Sequence, residues 1–451
     1  MAGHLFNKLI NKLEGGSGGG GGGSYQQQSG GYPQYQQQQG YYQQPPPPPQ
    51  QVIQQGSNQQ SFNGAHSKIH VGYFTNWSIY GRKYHPNKIP VQQLSHILYA
   101  FGDVREDGTV FLTDSWSDVE IHYDGDSWED GGKNLYGNFK QLLRMKQQNR
   151  HLKILLSIGG WTFSSHFSAV KTSQGRTQFV RSAMKILEDV GLDGLDIDWE
   201  YPKDGHEADQ YVQLLGELRQ ALDARANAMQ SRHWLSIAAP CGEQMQTLHV
   251  ARMDAYLDMW NLMAYDFCGT WSERSSHQAN LLPSQSCEAS VEQAIQFYTS
   301  QGVAPHKLIL GMPLYARAFA NTKGLGHKFN GVPEGGAEPG NFNYRDLPLP
   351  QHEEQFDSQA LAQFSICPQR KEFASYEGPQ SVDAKCDYIH KRGLGGAMWW
   401  EVSGDADEEK GGVERALIPR TAYRLGNLDP TPNNLHFPYS QYDNVRSGQP
   451  L

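Results

Sequence analysis

Eight short apolar runs punctuate the chain after residue 67, and they constrain its fold more than any other feature. They are His70–Phe74, Ile97–Phe101, Ile154–Ile158, Leu192–Trp199, Leu235–Ala239, Met259–Met263, Leu308–Met312 and Gly396–Trp400. Each has the length and the boundaries of a strand rather than of a buried helix. Between them apolar residues recur at helical spacing. Phe179, Val180, Ala183, Ile186, Leu187 and Val190 do so before the fourth run, and Tyr211, Leu214, Leu215, Leu218 and Leu222 after it. Strand and helix alternating to eight is the pattern of an α/β protein with a (β/α)8, or TIM, barrel. The stretch 318–380, between the seventh and eighth runs, exceeds a loop–helix connection and is expected to hold a small α+β insertion.

The barrel accounts for residues 67–425 of the 451. Residues 1–66 differ in kind. Leu5, Phe6, Leu9, Ile10 and Leu13 share one face of a short amphipathic helix. An almost uncharged Gly/Gln/Tyr/Pro tract follows, with Gly18–Gly23 and Pro45–Pro49 unbroken. Such a tract buries too little apolar surface to offset its chain entropy and is expected to be disordered, with a weak tendency to self-associate through its Gln/Tyr alternation. Residues 426–451 are polar with scattered prolines and read as a tail or a strap over the barrel.

A net charge of -9 argues against a nucleic-acid partner, because phosphate binding draws on clustered Lys and Arg. The five cysteines, Cys241, Cys268, Cys287, Cys367 and Cys386, are widely spaced and odd in number. They form neither a disulfide framework nor a zinc motif, and no metal or cofactor is implied. No apolar run is long enough for a transmembrane segment. The N-terminal apolar stretches are too interrupted for a signal peptide, so the expected location is cytoplasmic or reached by unconventional secretion.

The fourth run ends in Asp193-Gly-Leu-Asp196-Ile-Asp198-Trp-Glu200. Residues two apart on a strand share a face, so Asp196, Asp198 and Glu200 point into the barrel while Leu195, Ile197 and Trp199 point to the helices. Glu200 then stands at the C-terminal mouth, where barrel enzymes keep their chemistry. Asp193 has the other parity and caps or turns the strand entrance. Three inward acids cannot all ionise, so at least one pKa rises, and a carboxyl that keeps its proton near neutrality can serve as a general acid.

This row, continued by Tyr201-Pro202, resembles the active-site signature of glycoside hydrolase family 18, the chitinases. Four further segments resemble the family's elements in the family's order: Ser157-Ile-Gly-Gly-Trp161, Met263-Ala-Tyr265-Asp266, Gly311-Met-Pro-Leu-Tyr-Ala-Arg317 and Gly395-Gly-Ala-Met-Trp-Trp400. Within that family the chain resembles the fungal endochitinases. The resemblance implies a retaining hydrolysis of β-1,4-linked N-acetylglucosamine in which the substrate's acetamido group replaces the second carboxylate. By that resemblance Glu200 is the acid, Asp198 orients the acetamido group, Asp196 exchanges a proton with Asp198, and Tyr265 donates to the acetamido oxygen. It also implies that Asp266 and Arg317 hold the sugar at subsite -1 and that Trp400 is its floor, with Tyr73 and Met263 lining the same subsite. Trp161 and Trp271, with Trp77 and Tyr80, follow strand ends where loops open the cleft, and are placed to stack on further sugars.

Two other readings share these motifs. A chitin-binding lectin of this family lacks the acid, which here is present as Glu200. An endo-β-N-acetylglucosaminidase acting on N-glycans shares the acid row, but the insertion and the Met-Ala-Tyr-Asp and Met-Trp-Trp segments favour chitin or chito-oligosaccharides as the partner.

Overall fold

The computed structural model describes residues 67–284, 286–336 and 338–451. The helix and low-complexity tract expected over residues 1–66, and the self-association ascribed to them, lie outside the described residues. Eight strands form the central sheet: β1 (Ile69–Thr75), β2 (His96–Val104), β3 (Lys153–Gly159), β4 (Gly194–Asp198), β5 (Trp234–Pro240), β6 (Met259–Met263), β7 (Leu308–Pro313) and β8 (Gly396–Trp400). Every consecutive pair is parallel, and β8 pairs with β1, so the sheet closes into a barrel. The expected (β/α)8 architecture is therefore the observed one.

Strand parity divides the core in two. Tyr73, Leu98, Leu155, Met259, Ile309 and Met398 pack together inside the barrel. Leu195, Ile197, Trp199, Trp260 and Trp399 face outward into the larger core beneath the helices. Each such side chain, fully buried, is worth roughly 1.5–3 kcal/mol of transfer free energy.

The outer layer contains α1 (Gly137–Gln148), α2 (Ser173–Val190), α3 (Gly205–Met229), α4 (Val250–Asp254), α5 (Val291–Ser300), α6 (Pro379–Arg392) and α7 (Leu417–Leu425). Their ends follow local chemistry. Thr172 caps α2 by accepting from the Gly175 amide, Asp204 caps α3 through Glu207, and Ser290 caps α5 through Gln293. The alternation fails at one point, since β1 and β2 are joined by the 3-10 turns Pro86–Lys88 and Val91–Gln93 and not by an α-helix. Pro90 would be the fifth residue of an α-helix begun at Pro86, and without an N–H it cannot donate to the Pro86 carbonyl.

After β7 the chain enters a second, five-stranded antiparallel sheet. Its order is Asn341–Asn343, Tyr315–Phe319, Glu372–Ser375, Ala362–Cys367, Glu353–Asp357. No helix among the described residues is long and apolar enough to cross a membrane.

The segment after Leu425 packs across the N-terminal end of the barrel. The Lys68 amide donates to Asn427, Asp429 pairs with Lys153 at the start of β3, and the Asn434 amide donates to Asp193 just ahead of β4. Asp193 also accepts from the Ile154 amide and pairs with the buried Lys146. It thus sits at the strand entrance, on the side opposite the other acids.

Candidate active site

The inward acids converge because three neighbouring strands are in register. Ser157 of β3 lies beside Asp196 of β4, which lies beside Ser236 of β5. Asp196 is fully buried, and both its oxygens are occupied. Oδ2 accepts from the Tyr73 hydroxyl at 2.8 Å and from Ser157 at 2.7 Å, and Oδ1 accepts from Ser236 at 2.6 Å and Asn261 at 3.2 Å. Burial raises its pKa, and the four donors work against that rise.

Asp198, one step up the same face, has the opposite surroundings. It is buried, and its Oδ1 has no hydrogen-bond partner among the described residues. Burial first, then the charges of Glu200 and Asp196, push its pKa well above the usual carboxylate range. Glu200 is partly buried, and burial lifts its carboxyl to about 7, opposed by hydrogen bonds from the Tyr201 hydroxyl and the Trp161 amide. The buried trio therefore favours keeping a proton, and Glu200 can deliver one at the barrel mouth.

Around this row stand the other residues expected from the sequence. Tyr265 follows β6, and burial holds its phenol protonated far above the ordinary tyrosine range, as it does that of Tyr73. Both phenols are thus hydrogen-bond donors at working pH. Trp400, the last residue of β8, packs its ring edge-on against Tyr73 with centroids 5.2 Å apart, and stacks on Phe101 at 5.7 Å. Trp399 is completely buried on the helix side. Arg317 of the second sheet grips Asp266 with two bonds, Nε to Oδ1 at 2.7 Å and Nη2 to Oδ2 at 2.8 Å. Its guanidinium carbon also lies 5.2 Å from the Trp271 ring centre and 5.3 Å from that of Tyr315.

Trp161 and Trp271 are about half exposed, at 53% and 47%, so both rings are available to a ligand. Tyr80 is exposed as well, with its hydroxyl given to Asp114 at 2.6 Å. Trp77 is partly buried against the barrel interior, its ring centre 6.1 Å from that of Phe101, so it contributes less open face. Met263 ends β6 in a partly buried position.

Ser157, Ser236 and Asn261 were given no role by sequence reasoning, although they hold Asp196. The signal was present: Ser236 and Asn261 interrupt apolar runs at inward-facing positions, and a polar residue in a buried run needs a partner. Arg82 and Glu401 were also missed. The Arg82 guanidinium pairs with Glu401 and lies 2.8 Å from Ser403 Oγ, tying the loop after β1 to the turn after Trp400. Among the described residues no group of His, Cys, Asp or Glu has an arrangement that could hold a metal ion.

Comparison with known proteins gives the family of the chain. Residues 69–405 match the family described as Glycosyl hydrolases family 18. Endochitinase 1 of Metarhizium robertsii is 42% identical over 386 residues, covering 84% of this chain and 90% of the relative. Chitinase 1 of Aphanocladium album is 41% identical over 384 residues, covering 83% and 90%. Among solved structures, the catalytic domain of a psychrophilic chitinase B from Arthrobacter superposes with a TM-score of 0.73 at 26% identity, covering 82% of this chain and 98% of that one. The family match opens on the first residue of β1 and closes beyond the end of β8, so the barrel and its row of acids fall within it whole: the chain belongs to family 18 of the glycosyl hydrolases and is an enzyme of that family.

Proposed function

We propose that this enzyme is a chitinase that cleaves β-1,4-linked N-acetylglucosamine polymers or oligomers with retention, the substrate's own acetamido group acting as nucleophile. The supporting observation is the state of Asp198. A retaining glycosidase of the two-carboxylate kind needs an ionised nucleophile opposite its acid. Asp198 is the carboxyl beside Glu200, and burial together with its two acidic neighbours disfavours its ionised form. A neutral carboxyl is a poor nucleophile and a good hydrogen-bonding group, which fits orientation of an amide rather than attack on a sugar.

In this reading Glu200 protonates the departing glycosidic oxygen. The acetamido oxygen attacks the anomeric carbon, guided by the Tyr265 hydroxyl, and an oxazolinium forms. Asp198 meets the acetamido N–H, and as positive charge grows there its proton passes to Asp196, so the pair titrates as a unit. Glu200, now a carboxylate, takes a proton from water, which opens the ring from the face the leaving group vacated. Asp266 and Arg317 hold the sugar hydroxyls, Trp400 lies beneath the ring with Tyr73 and Met263 beside it, and Trp161 and Trp271 stack on neighbouring units. Endo-action is our reading, in keeping with the name of the Metarhizium relative. A lectin reading requires loss of the acid, and Glu200 is present.

Glu200→Gln is expected to keep chito-oligosaccharide binding while kcat falls by ~10²–10⁴. The anomer first formed by the parent from a chitin hexamer should be β. Unimpaired turnover by the variant, or an α product, would refute the mechanism.

A further inference from the structure

Ser164 lies in the 3-10 segment Ser164–Lys171 beyond β3, outside every sequence motif noted above, yet its hydroxyl reaches the residue that carries the chemistry. Its Oγ accepts from the Glu200 amide at 2.6 Å and donates to the Gly160 carbonyl at 2.9 Å, with the Asp198 carbonyl at 3.4 Å. The Gly160 amide donates to that same Asp198 carbonyl at 2.8 Å. Because β4 ends at Asp198, the sheet supplies no partner to the Glu200 amide, and the serine does.

The turn that carries Ser164 has little freedom. Gly159 has φ +117 and Gly160 φ +82. An added Cβ would come within 2.2 Å of the Asp198 carbonyl oxygen at Gly159 and 2.7 Å of the Phe101 ring at Gly160, so only glycine lets the turn approach this closely. Two residues beyond Ser164, His166 Nδ1 lies 2.7 Å from Asp103 Oδ1, which anchors the segment to β2.

We propose that Ser164 is a positioning residue for the general acid, fixing the Glu200 main chain so that its carboxyl meets the glycosidic oxygen. This rests on the reading of Glu200 as that acid. Positioning errors of about 1 Å at such a group cost ~10²-fold in rate. The loss should therefore appear only where the acid is needed.

The test compares kcat/KM on chitotetraose, whose leaving sugar must be protonated, with that on the dinitrophenyl glycoside of chitobiose, whose leaving group departs unaided. For Ser164→Ala we expect a loss of ~30-fold or more on the tetramer, under about threefold on the aryl glycoside, and KM within about twofold for both. Ser164→Thr, which keeps the hydroxyl, should restore most of the tetramer activity. If the alanine variant does not fold, Ser164→Cys, with its weaker acceptor, should show the same selectivity at smaller size. Equal losses on both substrates, or none on either, would overturn the proposal. Glu200→Gln is measured alongside: if it spares the tetramer, the acid assignment fails, and if it is selective while Ser164→Ala is not, only the role of Ser164 fails.

Discussion

A carboxyl raised to about 7, as Glu200 is, serves as an acid through the acidic and neutral range and is lost above it. For the parent enzyme kcat/KM on chito-oligosaccharides is expected to fall on the alkaline side with a midpoint near 7, and a midpoint near that of an ordinary glutamate would contradict the burial described. The same shift has a stability sign. A folded pKa above the unfolded value, ~4.3 for glutamate, means that folding favours the protonated form, so stability is full below that value and declines as pH rises to about 7. Glu200→Gln cannot ionise. Its stability should match the parent's near pH 4 and exceed it increasingly up to pH 7.5, by a margin on the order of 3 kcal/mol, readable by thermal or urea unfolding at the two pH values. At this scale the sequence was legible as far as parity reached, since the inward row and the outward Leu195, Ile197 and Trp199 follow from the period of a strand. The difference between Asp196 and Asp198 was not legible. It arises from Tyr73, Ser157, Ser236 and Asn261, which sit on four other strands and meet only when the barrel closes.

Among elements, the strand Tyr315–Phe319 binds the second sheet to the site, since Arg317 belongs to the one and holds Asp266 of the loop after β6. A guanidinium spans both carboxylate oxygens in one plane and stacks on Trp271 at the same time, and an ammonium can do neither. Arg317→Lys is therefore expected to lower kcat/KM on chito-oligosaccharides about tenfold or more while leaving the fold intact, as judged by an unchanged circular dichroism spectrum. An activity equal to the parent's would show that charge alone suffices there. Hydrophobic periodicity disclosed the eight strands and the helices between them. It could not disclose the 3-10 connection before β2, where Pro90 cannot supply an α-helical donor, or the arrangement of the second sheet, whose outer strand Glu353–Asp357 is mostly exposed and carries little apolar signal.

In the whole molecule, the proposed chemistry and the fastening occupy opposite ends of the barrel. Glu200, Met263 and Trp400 stand at the C-terminal ends of their strands, whereas the segment 426–451 crosses the N-terminal ends. Asn433 is the central tie of that crossing. It is 4% exposed, and its Nδ2 donates to the carbonyls of Lys146, Asn149 and Leu152 at 2.9, 3.0 and 2.8 Å, closing the C-terminal end of α1. Arg150 in turn donates to the Asn433 side chain at 2.9 Å. Asn433→Ala strips these groups of their partner in a buried setting, at a cost of roughly 2–4 kcal/mol, enough to lower the melting temperature by several degrees. No group of the proposed catalytic row is touched, so kcat on a chitin oligomer at 25 °C should equal the parent's per mole of folded enzyme. A barrel in which the two ends were mechanically coupled would give a different result, with kcat dropping at a temperature where the variant is still fully folded. That outcome would mean that the strap sets the geometry at the mouth, and that division of labour between the two ends of the barrel does not hold in this protein.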